Sequence, residues 1–241
     1  MSIHKSALHR SALAILLLVF LANIAAWALW NRPVAERPWV GTINGLSYTP
    51  FHPDRSPSKG DKALPETIEK DLVALDGQVK SLRIYSAAVI KLARTYTNVR
   101  RVLVGNEAVM RADITPDQAV AYMKRVREKV NVPVSIAEPW HEWMTYPQLA
   151  ENADFIAVHL LPYWEGIPAD QALDYAMFRY NEIKKKYPEK HIVIAEIGWP
   201  SNGPWRRGAE ASQINQAKFI RGFLNLAAQE HFDYFIMEAL D

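Results

Sequence analysis

Two apolar runs in this 241-residue chain each end in a carboxylate. Arg101-Val102-Leu103-Val104-Gly105 delivers Asn106-Glu107, and Ile192-Val193-Ile194-Ala195 delivers Glu196, followed closely by Gly198, Trp199, Pro200 and Ser201. A pair of carboxyl groups brought together from two strands is the minimum equipment for cleaving a glycosidic bond. One acid protonates the leaving oxygen while the other attacks or activates water. Burial of one and hydrogen bonding of the other would separate their pKa values. Asn106 beside Glu107 suits a hydrogen bond to a sugar 2-hydroxyl, an interaction that strengthens in the transition state. A lone strand-end glutamate is more often solvated or ion-paired, here with Arg83, Arg100 or Arg101 as candidate partners. Two such acids after two buried runs tilt the reading toward chemistry.

The acids need a scaffold that brings them together, and the rest of the chain supplies its rhythm. Short β-branched or aromatic runs at 42–48, 79–85, 101–104, 132–137, 155–159, 192–195 and 234–237 alternate with amphipathic segments. That alternation predicts parallel strands covered by helices. The clearest helix opens at Thr115-Pro116-Asp117-Gln118, a capping box with Pro in the first turn. Others are expected from about Glu66 to a stop at Gly77, at 169–186 and at 212–229. Seven such units suit an open doubly wound sheet or a (β/α)8 barrel. No G-x-G-x-x-G or P-loop follows a strand, whereas Tyr48, Arg83, Tyr85, Asn106, Glu107, Glu138, His159, Glu196 and Glu238 fall at strand ends, where barrel enzymes keep their sites.

Composition narrows the chemistry further. The chain has no cysteine, which removes disulfides, thiolate metal ligands and thiol nucleophiles. His141-Glu142-Trp143-Met144-Thr145 lacks the second histidine of a zinc motif, and no G-x-S-x-G occurs. Neither a metal nor an organic cofactor is expected. Lys5 and Arg10 account for the whole formal charge of +2, so the body carries no electrostatic footprint for nucleic acid.

From Ala12 to Trp30 the chain carries no charge, a stretch long enough to cross a hydrocarbon core of about 30 Å. Lys5 and Arg10 before it predict a cytoplasmic tail at 1–11 and a body on the far side of the membrane. A cleaved leader is the competing reading, since Ala26-Trp27-Ala28 has the A-x-A form. The polar, proline-bearing 31–38 reads as a linker, leaving 39–241 as the folded body.

V-G-N-E at Val104 to Glu107, I-A-E-I-G-W-P-S at Ile194 to Ser201 and S-L-R-I-Y at Ser81 to Tyr85 make this body resemble glycoside hydrolase family 17, the β-1,3-glucanases. The second motif is the most specific. G-L-S-Y-T-P-F from Gly45 and F-I-M-E-A-L-D from Phe235 are similar to the family's bacterial branch, membrane-tethered proteins acting on periplasmic β-glucans as hydrolases or transglycosylases. The resemblance implies a TIM-barrel-like fold, Glu107 as general acid/base and Glu196 as nucleophile of a retaining mechanism, with carboxyls about 5–5.5 Å apart. Tyr48, Arg83, Tyr85, Asn106, His159, Tyr163, Trp164, Trp199 and Glu238 are then expected to bind the glucan. Trp164 and Trp199 are the expected stacking platforms among the tryptophans, with core packing as the alternative for about half of them. With the N-terminal apolar stretch, this predicts an inner-membrane protein with a periplasmic domain; a monomer is expected. In the family the Asn-Glu strand is the fourth, but here it is the third. An incomplete barrel of about seven strands is therefore expected, lacking one βα unit and the lysine and helix the family places after its last strand. The alternative function is a non-catalytic β-glucan-binding remnant.

Overall fold

A computed structural model describes residues 3–30, 39–49, 64–85 and 89–237. It divides into two units, Met1–Arg37 and Pro38–Asp241. The first holds helix α1 (Ile3–Trp30). Its segment Ala12–Leu29 is fully exposed, and by length and composition the helix suffices to cross a membrane. Asn23, the one strongly polar side chain of that segment, donates to Val19 O four residues back, so its amide is partly satisfied within the helix.

The second unit alternates strands and helices. After β1 (Leu46–Tyr48) come α2 (Pro65–Leu75), β2 (Leu82–Ile84), α3 (Val89–Thr95), β3 (Val102–Asn106), α4 (Pro116–Arg127) and β4 (Val134–Pro139). The chain continues through α5 (Trp140–Thr145), α6 (Pro147–Asn152), β5 (Ile156–Leu160), α7 (Pro162–Glu165), α8 (Ala172–Lys186), β6 (Ile192–Ile197), α9 (Gln213–Glu230) and β7 (Asp233–Ile236). All seven expected strands are present, and the capping box forms as the sequence predicts. Gln118 N donates to Thr115 Oγ1 at 3.2 Å, and Thr115 N donates to Gln118 Oε1 at 2.8 Å. The first two strands are shorter than expected, and an isolated parallel bridge between Ile43 and Val79 marks where their pairing begins.

Every pair in the sheet is parallel, in the order β2-β1-β7-β6-β5-β4-β3. β1 lies beside β7, as in a barrel that curls back on its first strand, while β2 and β3 are the two edges among the described residues. The result is a curled, TIM-barrel-like sheet with one seam unpaired, which is the seven-strand arrangement expected from the chain.

Two cores result from the period-2 alternation of buried parallel strands. Ile136, Ile156, Val158, Ile192, Ile194 and Ile197 pack outward under Met123, Trp143, Leu149, Ile183 and Phe223 of the helices. Ala137, Phe155, Ala157, Val193 and Ala195, with Leu103 and Phe235, fill the concave side. Arg101, just before β3, pairs with Asp233 at the start of β7 at 2.6 Å and lies over the Phe155 ring, tying together the N-terminal ends of the strands.

Gly198, just past β6, is required by a backbone approach. A Cβ there would stand 2.1 Å from Met237 O, an atom of the chain following β7 that cannot rotate away. Gly198→Ala is expected to cost about 1–3 kcal/mol through overpacking. Thermal denaturation checks this: the midpoint should fall by several degrees, and an unchanged midpoint would refute the close approach.

Candidate active site

The C-terminal ends of β2, β3, β5 and β6 converge on one cluster of side chains. Strict alternation from Val193 and Ala195, both facing the concave side, would carry Ile197 inward and Glu196 out. The structure departs from it. His159 pairs in register with Glu196 and Leu160 with Ile197, so Ala195 is the extra residue of a bulge. The bulge turns Glu196 inward while Ile197 returns to the outer core. β3 has a similar irregularity between Leu103 and Asn106, which aligns Asn106 with inward-facing Ala137.

Glu107, next along the chain, takes a left-handed backbone with φ 53°. For a residue with a Cβ this costs about 1–2 kcal/mol, and surrounding bonds must hold it. Its N–H donates to Ala137 O at 2.8 Å and its carbonyl accepts from Arg111 N at 2.9 Å. Glu138, wholly buried at the end of β4, accepts from Val109 N at 2.9 Å and Met110 N at 3.2 Å, pinning the turn that follows.

Glu107, His159 and Glu196 offer ligand atoms that all lie within 4.8 Å of one another. His159 Nδ1 is 2.8 Å from Glu107 Oε1 and 3.6 Å from Glu196 Oε2. On the far side of Glu196, Oε1 accepts from Arg83 Nη1 at 2.6 Å and from the Tyr85 hydroxyl at 2.6 Å. Arg83 also donates to Ala195 O at 2.9 Å and, through Nη2, to Asn106 Oδ1. This one guanidinium, nearly buried, reaches from edge strand β2 to β6 and to the end of β3, the other edge. Its Asn106 contact orients the amide with Nδ2 left for a ligand.

The electrostatics set Glu107 and Glu138 apart. The hydrogen bond from His159 holds Glu107 below the ordinary carboxylate range, against the opposing effect of partial burial. Burial pushes Glu138 up to about 7 despite its two amide donors, with the Glu142 and Glu107 charges adding to the rise. Burial also drives the Tyr85 phenol upward, so it remains a donor to Glu196.

Not every expected residue joins the cluster. Tyr48 is a correction: it faces the helical layer, and its hydroxyl meets Asp71 of α2 at 2.9 Å. Ser47, one residue earlier and in register with Arg83, takes the concave side instead. Trp199 is a second correction, because it is a packed side chain only 2% exposed, against Tyr163 and Phe219, with its indole N–H bonded to Glu210 O. Tyr163 is likewise buried, its hydroxyl donating to Pro204 O, and it props Trp164 edge-on. Trp164 is 55% exposed, and the Arg206 guanidinium lies 4.0 Å from its ring centre. Glu238 lies outside the described residues. Strand-end position alone had marked Glu138, but its grip on the turn after β3 could be seen only in three dimensions.

A family model described as the BtgE/BtgC glycoside hydrolase domain matches residues 87–241. A protein named probable glucan endo-1,3-beta-glucosidase btgC, from Aspergillus fumigatus, is 30% identical over 163 residues, covering 58% of this chain and 23% of its own length. A glucan 1,3-beta-glucosidase of Schizosaccharomyces pombe is 26% identical over 159 residues, 60% of this chain and 49% of that one. The chain thus spans 23% and 49% of the length of these two relatives. Among solved structures, the glycoside hydrolase family 17 beta-1,3-glucanosyltransferase from Rhizomucor miehei matches with a TM-score of 0.72 at 20% identity, covering 81% of this chain and 86% of that one. That likeness bears on the fold, which is that of a TIM-barrel-like glycoside hydrolase.

Proposed function

Because the chain belongs to the BtgE/BtgC glycoside hydrolase domain family, we propose that it cleaves or transfers β-1,3-glucan by a retaining mechanism, with Glu107 as general acid/base and Glu196 as nucleophile. The observation that carries this reading is the separation of the two carboxylates. One oxygen of each lies within 4.8 Å of one oxygen of the other, a proximity that suits the roughly 5–5.5 Å carboxyl separation of double displacement better than the roughly 6.5–9.5 Å that leaves room for water in inverting enzymes.

In the first step Glu196 Oε2 attacks the anomeric carbon while Glu107 gives its proton to the departing glucosidic oxygen. Arg83 and Tyr85, which grip Oε1, fix the carboxylate so that its other oxygen faces the sugar. Asn106 Nδ2 donates to the 2-hydroxyl, and Trp164 offers a ring face to a neighbouring glucose. In the second step Glu107 takes a proton from water or from a sugar hydroxyl, which displaces Glu196 from the glucosyl ester. Water releases a shorter glucan, and a sugar hydroxyl makes a longer one.

The name of the Aspergillus relative supports β-1,3-glucan as substrate. The length and lack of charge of α1 support a signal-anchor at 12–30; a linker at 31–38 and a monomeric glycosidase domain at 39–241 in the periplasm of a bacterial cell complete the proposal. A leader cleaved after export is the competing form of the same topology.

Incubating the full-length protein with laminari-oligosaccharides and following products by mass and linkage tests the proposal. Shorter products identify a hydrolase and longer ones a transglycosylase. Unchanged oligosaccharides with saturable binding would overturn turnover and favour a glucan-binding remnant.

A pH prediction follows from the His159 bond. Glu107 must be protonated for the first step, so kcat/KM falls as pH rises through its pKa in the free enzyme. His159→Leu removes the contact that lowers that pKa, so the alkaline limb should move to higher pH. A limb that stays or moves down would exclude His159 from tuning Glu107.

A further inference from the structure

Glu138 takes no part in the chemistry above, yet it is an acid with none of its surface exposed at the end of the strand next to the one carrying Glu107. Among the described residues no lysine or arginine lies within ion-pair distance of it. Both of its oxygens are used on one object. Oε1 receives Val109 N and Oε2 receives Met110 N, two successive amides of the turn after β3. That turn is bounded by two left-handed residues that are not glycine, Glu107 at φ 53° and Ala112 at φ 57°. Within it Arg111 N bonds to Glu107 O, Ala112 N to Val109 O, and Asp113 N to Ala108 O, so a shift of the Val109-Met110 amides is transmitted to Glu107. A buried carboxylate is costly where an apolar side chain would pack without penalty. What this one does, which no apolar residue can, is accept both amides.

We propose that Glu138 is a positioning residue for Glu107: its carboxylate clamps the Val109-Met110 amides and so holds the left-handed backbone that aims Glu107 at the glycosidic oxygen. This rests on the assignment of Glu107 as the general acid, and the test separates the two. The acid is needed in proportion to the basicity of the leaving group. An alkoxide from a glucan must be protonated, whereas a dinitrophenolate departs unaided. Misplacing the acid therefore slows the first reaction and spares kcat/KM for the second. General loosening of the fold slows both.

The experiment compares full-length wild type, Glu107→Gln, Glu138→Gln and Glu138→Asp on laminaritetraose and on 2,4-dinitrophenyl β-laminaribioside. Glu138→Gln presents an amide NH2 to one backbone N–H, and Glu138→Asp keeps the charge but falls short of the turn. Each is expected to lose about 10²-fold in kcat/KM on the tetraose, the effect of a displacement of about 1 Å. On the aryl substrate the loss should stay within about threefold, because acid catalysis contributes little there. If the glutamine variant does not fold, as judged by near-UV circular dichroism, the aspartate variant carries the test. Equal losses on both substrates, or none on either, would overturn the positioning role provided Glu107→Gln shows the leaving-group contrast. If Glu107→Gln itself loses both activities equally, the general-acid assignment falls, and the clamp's purpose falls with it.

Discussion

Glu196→Gly is expected to lose turnover on laminari-oligosaccharides by about 10⁴-fold or more, the scale on which removal of a covalent nucleophile is felt. The argument is geometric. Glu196 sits at a bulge on β6, with one oxygen held by Arg83 and Tyr85 and the other 3.6 Å from His159 Nδ1. No other described carboxylate shares that clamp. Cutting the side chain back to glycine leaves a hole where the nucleophile stood, and azide can occupy it. Azide then attacks the face of the sugar that Glu196 attacked, so a single displacement should yield the α-glycosyl azide. Glu107→Gly should behave in the opposite way. Glycosyl-Glu196 still forms from a dinitrophenyl substrate, azide takes the place of water in the second step, and the product is the β-glycosyl azide. Glycine also relaxes the left-handed backbone at position 107. NMR of the two azide adducts checks both assignments. Adducts of the same anomeric configuration from both variants would refute the division of roles.

Arg83→Leu is expected to damage stability and activity together. The guanidinium is buried and donates to Glu196, Ala195 O, Tyr85 and Asn106. Removing it strands a carboxylate whose side chain is 4% exposed, a loss of about 3–5 kcal/mol for a broken buried pair. The same substitution frees the Glu196 and Asn106 side chains to rotate, so kcat should fall by at least about 10²-fold. Arg83→Lys separates the two effects. An ammonium can return charge to Glu196 but lacks the planar fork that reaches two partners at once. Most of the stability should therefore come back while most of the activity does not. Urea unfolding read beside kcat checks this, and a lysine variant with restored activity would show that charge alone is what Glu196 needs.

Much of this was legible along the chain because local signals and burial agree. Seven β-rich runs separated by amphipathic segments with caps and stop signals leave a parallel sheet as the consistent arrangement, and both acids lie at the ends of its strands after apolar runs. The expectation of no thiol, metal-motif or nucleotide chemistry rests on the sequence alone, because each requires residue types or spacings that the chain lacks. The helix at Ala12–Leu29 needed only its length and lack of charge.

Which way each side chain points belongs to the tertiary structure. Period-2 alternation is unambiguous only in an unbroken strand, and the irregularities on β3 and β6 reset it just before Asn106 and Glu196. The same alternation, uninterrupted on β1, turns Tyr48 to Asp71 and Ser47 to the concave side. Trp199 and Trp164 look alike as strand-end tryptophans, but Phe219 of α9 covers the first and solvent reaches the second. Arg83 is 113 residues from Glu196 along the chain, and no local rule brings the two to 2.6 Å. The sequence thus determined which residue types stand at the strand ends, because propensity and burial act over a few neighbours. Only the closing of the sheet decided which of them meet, since that depends on register between strands distant in the chain.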